Sequence, residues 1–175
     1  MKRQNKQQLA MMTVLAVLGA RASLAADDAV PRELQPPRGL KVLFRVRAEG
    51  VQVYECRAVP GKPRQFEWAP KGPRADLFDD DGQKVGTHYA GPTWEATDGS
   101  KVRAAVRKCV KAPADRAVPW LLLEVTAHEG KGRLSLVKYI QRLDTWAGQP
   151  PAATGDKAGK QVSRKYQATY VFYGD

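Results

Sequence analysis

Histidine is scarce in this sequence. The 175-residue chain has two, His88 and His128, far apart. No Cys or His group has metal-ligand spacing, and His128-Glu129 lacks the second His of a zinc-binding helix. A structural zinc site is therefore not expected. "DDDG" (Asp79 to Gly82) is only superficially like a calcium loop. Leu77 and His88 stand where an EF-hand needs its first and last acidic ligands, so the stretch reads as a hairpin turn. Beyond residue 25 there are three serines, Ser100, Ser135 and Ser163, none within GxSxG. There is no Gly-rich strand-to-helix fingerprint for a dinucleotide. No metal and no cofactor is expected. Long apolar runs are also missing. Past the N-terminus the longest is "VPWLLL" (Val118 to Leu123), too short to cross about 30 Å of hydrocarbon as a helix.

What is present begins with an export signal. Lys2, Arg3 and Lys6 precede the apolar "LAMMTVLAVLGA", and "ASLA" ending at Ala25 offers small residues for cleavage. Residues 1–25 are read as a signal peptide, 26–38 as a flexible Pro-containing leader or extended arm, and 39–175 as a single β domain. The location expected is periplasmic or extracellular. The signal carries four basic residues and no acidic one. The rest of the chain therefore holds 25 basic against 18 acidic residues, net +7. An exported basic protein meets anionic envelope components, glycans or small ligands rather than nucleic acid. The two cysteines, Cys56 and Cys109, are candidates for a disulfide in an oxidising compartment.

After Gly39 the periodicity is that of strands. "LKVLFRVRAEGVQVYECRA" gives two alternating runs about Glu49-Gly50, read as a hairpin. "RQFEWA" is a short strand between proline-bearing turns. Asp81-Gly82 and Asp98-Gly99 mark further hairpins. "VPWLLLEVTAHE" suits a strand buried on both faces, with Trp120 in the core. "GRLSLVKYIQRLDTW" is open between strand and helix. "GQPPAATGDKAGK" is a long polar loop. In "VSRKYQATYVFY" Tyr166, Ala168, Tyr170 and Phe172 share one face and Val171 and Tyr173 the other. Short strands with regular turn signals predict an all-β fold, a single-domain antiparallel β-sandwich or, alternatively, a closed or partly open β-barrel.

The phrases "GVQVYEC", "DLFDDDG", "GTHYAGPTWEATDGS", "VPWLLLEV", "YIQRLDT" and "YQATYVFY" come in a characteristic order. In them the chain resembles the exported bacterial and fungal family catalogued as DUF3455 among domains of unknown function. The resemblance spans roughly Gly39 to Tyr173. It implies a small, mainly β exported domain and no established activity. Some relatives carry labels naming a malate dehydrogenase, which nothing in this sequence supports. Relatives often have a Cys in the loop that here reads "ATGD" (Ala153 to Asp156), a natural partner for the Cys of "YEC". Here that Cys is missing, and a Cys56–Cys109 bridge is a replacement candidate.

The densest stretch is "THYAGPTWEATDGS". Glu95 and Asp98 are a candidate carboxylate pair for glycosidic chemistry. Ser100 or Cys56 with His88 are candidate nucleophile–base pairs. Trp94 is the aromatic best suited to a ligand, because His88, Tyr89 and Glu95 are its sequence neighbours. The first reading is a noncatalytic binding domain for a glycan, lipid or small apolar ligand. Its candidate residues are His88, Tyr89, Trp94 and Glu95, with Gln141 and Arg142 as polar partners. The rival is an envelope hydrolase using His88 with a carboxylate. A purely structural protein is the third. A pocket holding His88, Trp94 and Glu95 would favour the first two, and a buried His88 bonded to backbone the third.

Overall fold

The structure is a computed structural model and describes residues 30–175. The signal-peptide reading lies outside those residues. The fold is all-β, as the alternation predicts. Eight strands run in chain order: β1 Lys41–Val59, β2 Lys62–Phe78, β3 Lys84–Tyr89, β4 Thr93–Ala96, β5 Lys101–Val110, β6 Trp120–Glu129, β7 Val137–Ala147 and β8 Gln161–Gly174. Each pairs antiparallel with the next, and β8 pairs back onto β1, from Lys41 opposite Gly174 to Glu55 opposite Gln161. Of the two arrangements left open by the sequence, the closed single sheet is the one found. Closure gives every strand two neighbours and removes the exposed edges that invite unwanted pairing.

The hairpin expected at Glu49-Gly50 is not there. β1 runs straight through it, with Glu49 opposite Asp76 on β2 and opposite Gln167 on β8. Gly50 does not take the positive φ a two-residue turn would need. It is a glycine because β2 comes too close for a side chain: a Cβ there would overlap the Arg74 carbonyl and lie 2.7 Å from Ala75 Cβ. "RQFEWA" likewise extends through Pro70 and Pro73 into one long β2, with a register shift at Val53/Tyr54 opposite those prolines. "VKYIQRLDTWA" resolves as strand β7.

Period-2 alternation divides the core in two. Inside the ring, Val46, Leu77, Trp94, Val102, Leu123, Ile140, Tyr166, Tyr170 and Phe172 form one cluster. Outside it, Leu34, Trp120, Leu122, Leu143, Val171 and Tyr173 form a second. The first part of β6 is thus buried on both faces, with Trp120 in the outer cluster. The outer cluster is roofed by the segment before β1. Leu34, in the 3-10 turn Arg32–Leu34, is fully buried, and Val30 and Leu40 pack beside it. From residue 30 onward the Pro-containing leader is a docked arm.

The two ends of the ring differ. At one end the β6–β7 loop folds in as a plug. Leu134 is buried, its N–H donates to Ser100 Oγ at 3.1 Å, and the Arg133 N–H donates to Asp98 at 2.7 Å. Asp98 also accepts from the Ser100 N–H and hydroxyl, at 2.9 and 2.6 Å. "ATDGS" therefore makes the β4–β5 turn, with Gly99 at φ 84°, and fastens the plug as well.

The expected Cys56–Cys109 bridge is not formed, and both thiols are free. The topology explains this. Cys56 on β1 sits opposite Trp68 and Cys109 on β5 sits opposite Leu121. Three strands separate β1 from β5 in either direction round the ring. Cys56 is buried beneath the β7–β8 loop, and a Cβ at Gly155 would overlap its sulfur. Cys109 is exposed.

Candidate functional site

The end of the ring opposite the plug is hollow. Side chains from all eight strands meet there, among them Gln52 and Tyr54 (β1), His88 (β3), Val106 (β5) and Arg142 (β7). They enclose a cavity of about 440 Å³. Its walls are largely apolar: Pro70, Pro73, Pro92, Val118, Leu121 and Leu123. Its polar groups are Gln52, Tyr54, His88, Arg142 and Tyr170, and Lys71 stands among the lining residues.

His88 and Trp94 are direct cross-strand partners on β3 and β4, so their side chains share one face. The rings stack with centroids 4.1 Å apart, and Tyr170 meets both edge-on at 5.1 and 5.4 Å. His88 is buried, and Nδ1 lies 2.8 Å from the Thr93 carbonyl oxygen. A carbonyl only accepts, so Nδ1 carries the proton and Nε2 the lone pair. Burial pushes the imidazole pKa down to about 3, the positive charge of Arg142 adds to this, and the Thr93 bond opposes it. His88 is neutral at ordinary pH.

Arg142 is half-buried. Its Nε–H donates to the Pro119 carbonyl at 3.0 Å. Its charge acts on Tyr54, His88, Tyr166 and Tyr170, and none of these carries a compensating negative charge. Burial raises the pKa of each of the three phenols, which stay protonated. Among the described residues no carboxylate forms an ion pair with Arg142. The Tyr54 hydroxyl donates to the Gly148 carbonyl at 2.8 Å, which leaves its lone pairs free to accept. The Trp94 indole N–H and the Tyr166 and Tyr170 hydroxyls are buried without a well-formed hydrogen bond. Such groups carry a desolvation cost unless something completes them.

The six candidate residues thus divide. His88, Trp94 and Arg142 converge on the cavity. Tyr89 and Glu95 do not, because each follows an inward residue and the period of 2 turns it outward. On the outer face the Tyr89 hydroxyl donates to Glu95 at 2.7 Å, and Lys101 lies 3.3 Å from the same carboxylate. These two contacts hold Glu95 below the usual carboxylate range. Gln141 also points outward, beneath the arm. It donates to the Leu34 carbonyl at 2.7 Å and accepts from the Tyr173 hydroxyl at 2.6 Å. It is a strut of the outer core. Gln52, Tyr54 and Tyr170 were absent from the candidate set. Their signal was the alternation itself, which puts Gln52 and Tyr54 on one face of β1, and Tyr166 and Tyr170 on one face of β8.

The catalytic constellations are not assembled. Glu95 and Asp98 do not share a site, since Asp98 is engaged by Ser100 and Arg133 at the plugged end. Ser100 is there too, away from His88. Asp79 to Gly82 makes a turn in which Asp79 accepts from the Gln83 and Gly82 N–H groups, at 2.8 and 3.1 Å. Among the described residues no three His, Cys, Asp or Glu side chains are grouped to hold a metal ion. His128, on the far part of β6, donates to the Val137 carbonyl at 2.8 Å.

The described residues thus form an eight-stranded antiparallel ring, plugged at one end and hollow at the other. Within that class the chain belongs to the family described as a protein of unknown function, DUF3455, whose family model matches residues 36–174. No curated protein and no solved structure matches the chain.

Proposed function

We propose that this protein is an exported, noncatalytic binding domain that takes a small apolar ligand into the hollow end of its ring. The observation that carries this is the cavity of about 440 Å³, with apolar walls and a few convergent polar groups. Drug-sized ligand sites have this volume and lining. The lining favours a lipid-like or aromatic small molecule over a glycan, which would need a denser set of hydrogen-bonding side chains. The hydrolase alternative has less support. No carboxylate lies with His88, and an imidazole with a pKa of about 3 is a weak base at neutral pH. The structural alternative draws on the backbone hydrogen bond of His88, but it leaves the cavity without a purpose.

The test is thermal unfolding of the protein with decanol, a neutral apolar probe. A ligand at 100 times its dissociation constant stabilises by about 2.7 kcal/mol. Wild type should be stabilised, and Leu121→Trp, which puts a larger side chain into the lining, should fold but show no shift. Equal stabilisation of both would contradict cavity binding.

A second reading concerns the anionic envelope partner. A surface depression of about 570 Å³ beside the β7–β8 loop gathers Arg116, Arg164 and Lys165 round Trp146, which is 59% exposed. Cations beside an exposed indole suit a polyanionic glycan. Salt-sensitive retention on heparin, lost in the Trp146→Ala/Arg164→Glu double variant, would support it. Retention unchanged by that variant would remove it.

A further inference from the structure

We infer that the ligand of the interior cavity is an apolar anion, a carboxylate-bearing amphiphile whose head is received by Arg142. This rests on the cavity reading above and adds the charge of the occupant.

Arg142 brings a permanent positive charge to the cavity wall. One of its five N–H groups is committed, through Nε, to the Pro119 carbonyl. Its neighbours are protonated phenols and a neutral imidazole, which can accept or donate hydrogen bonds but cannot neutralise it. Lys71, the other cation in the lining, already pairs with Glu55 at 2.8 Å. Among the described residues no acidic side chain lines the cavity. A half-buried cation without a counter-charge is costly to maintain, and a planar carboxylate is the group its fork of donors fits best.

The remaining groups suit the rest of such a molecule. The Trp94 and Tyr170 rings lie in the same lining as the arginine, and the Tyr170 hydroxyl interacts with Arg142 itself. The Pro70, Pro73, Val118, Leu121 and Leu123 side chains provide an apolar wall for the tail. His88, neutral, adds no competing positive charge and can accept a hydrogen bond at Nε2.

The experiment compares two ligands that differ only in the head: decanoate and decanol, titrated calorimetrically into the wild-type protein and Arg142→Gln at neutral pH. Wild type should bind decanoate about tenfold or more tightly than decanol, the scale of a charge-assisted bidentate contact. Arg142→Gln should lose that preference. Equal affinity for the two ligands in wild type would overturn the inference and leave the cavity reading intact, and so would a preference that survives in Arg142→Gln. Binding of neither ligand would overturn both. The wild-type comparison decides the matter even if the variant does not fold.

Discussion

His88 is the residue at which structure and chemistry meet most closely. Its stacking on Trp94 and its bond to the Thr93 carbonyl make it part of the wall of a cavity that Arg142 also lines. The depressed pKa has a consequence for stability. The unfolded chain takes up a proton near pH 6.5, and the folded state does not until about pH 3. The stabilisation is complete above pH 6.5 and is lost as pH falls toward 3, by at most about 1.4 kcal/mol per pH unit. The test window is pH 6.5 to 5, above the titration of the hydrogen-bonded carboxylates. There His88→Gln should show a flatter fall in unfolding free energy than wild type, measured by urea titration. Identical slopes would mean that His88 does not stay neutral when folded.

The residue scale also shows why half of the candidate set pointed elsewhere. His88 and Tyr89 are adjacent, as are Trp94 and Glu95. On a strand, adjacent side chains cannot enter the same cavity. Density of functional residue types along the sequence says little about convergence. Every second residue does, and on that count Tyr54 and Tyr170 were as legible as His88.

At the scale of elements, the closing strand was the most readable, because Tyr166, Ala168, Tyr170 and Phe172 alternate cleanly with polar or outer-core residues. Gly50 was the least readable. A charged residue followed by Gly between two alternating runs looks the same whether Gly makes a turn or admits a neighbouring backbone. The difference lies in the sign of φ and in the closeness of Arg74 and Ala75, neither of which the local sequence encodes. The β4–β5 turn carried a role that its turn signal concealed, the attachment of the β6–β7 plug. Ser100 is buried and its oxygen receives the Leu134 N–H. Ser100→Ala should therefore cost about 1–3 kcal/mol by orphaning that donor. Amide exchange at Leu134 should accelerate in the variant. Unchanged exchange would show that the plug is held by other contacts.

At the scale of the whole molecule, closure of the sheet creates the cavity and keeps Cys56 from Cys109. The position that does approach Cys56 is Gly155, whose Cβ would lie 3.0 Å from Cys56 Cβ. Disulfides prefer about 3.5–4.5 Å, a difference the surface loop can supply by a small shift. In the variant Gly155→Cys, oxidation should join the introduced thiol to Cys56 and leave Cys109 as the single titratable thiol. The bridge should add about 2–4 kcal/mol of stability relative to the reduced form of the variant. Three reactive thiols after oxidation would refute that placement of the loop.

Entry of a ligand into the hollow end of the ring is tested most directly by one spectrum. The chain has four tryptophans. Of these, only Trp94 lines that cavity, whereas Trp120 is in the outer core and Trp146 is on the surface. Trp68 donates its indole N–H to the Ala153 carbonyl at 3.0 Å, under the β7–β8 loop. In a nitrogen-15 correlation spectrum recorded during titration with decanoate, the Trp94 indole signal should move and saturate while the other three stay in place. A stationary Trp94 signal, with movement confined to Trp68 or Trp146, would contradict the account.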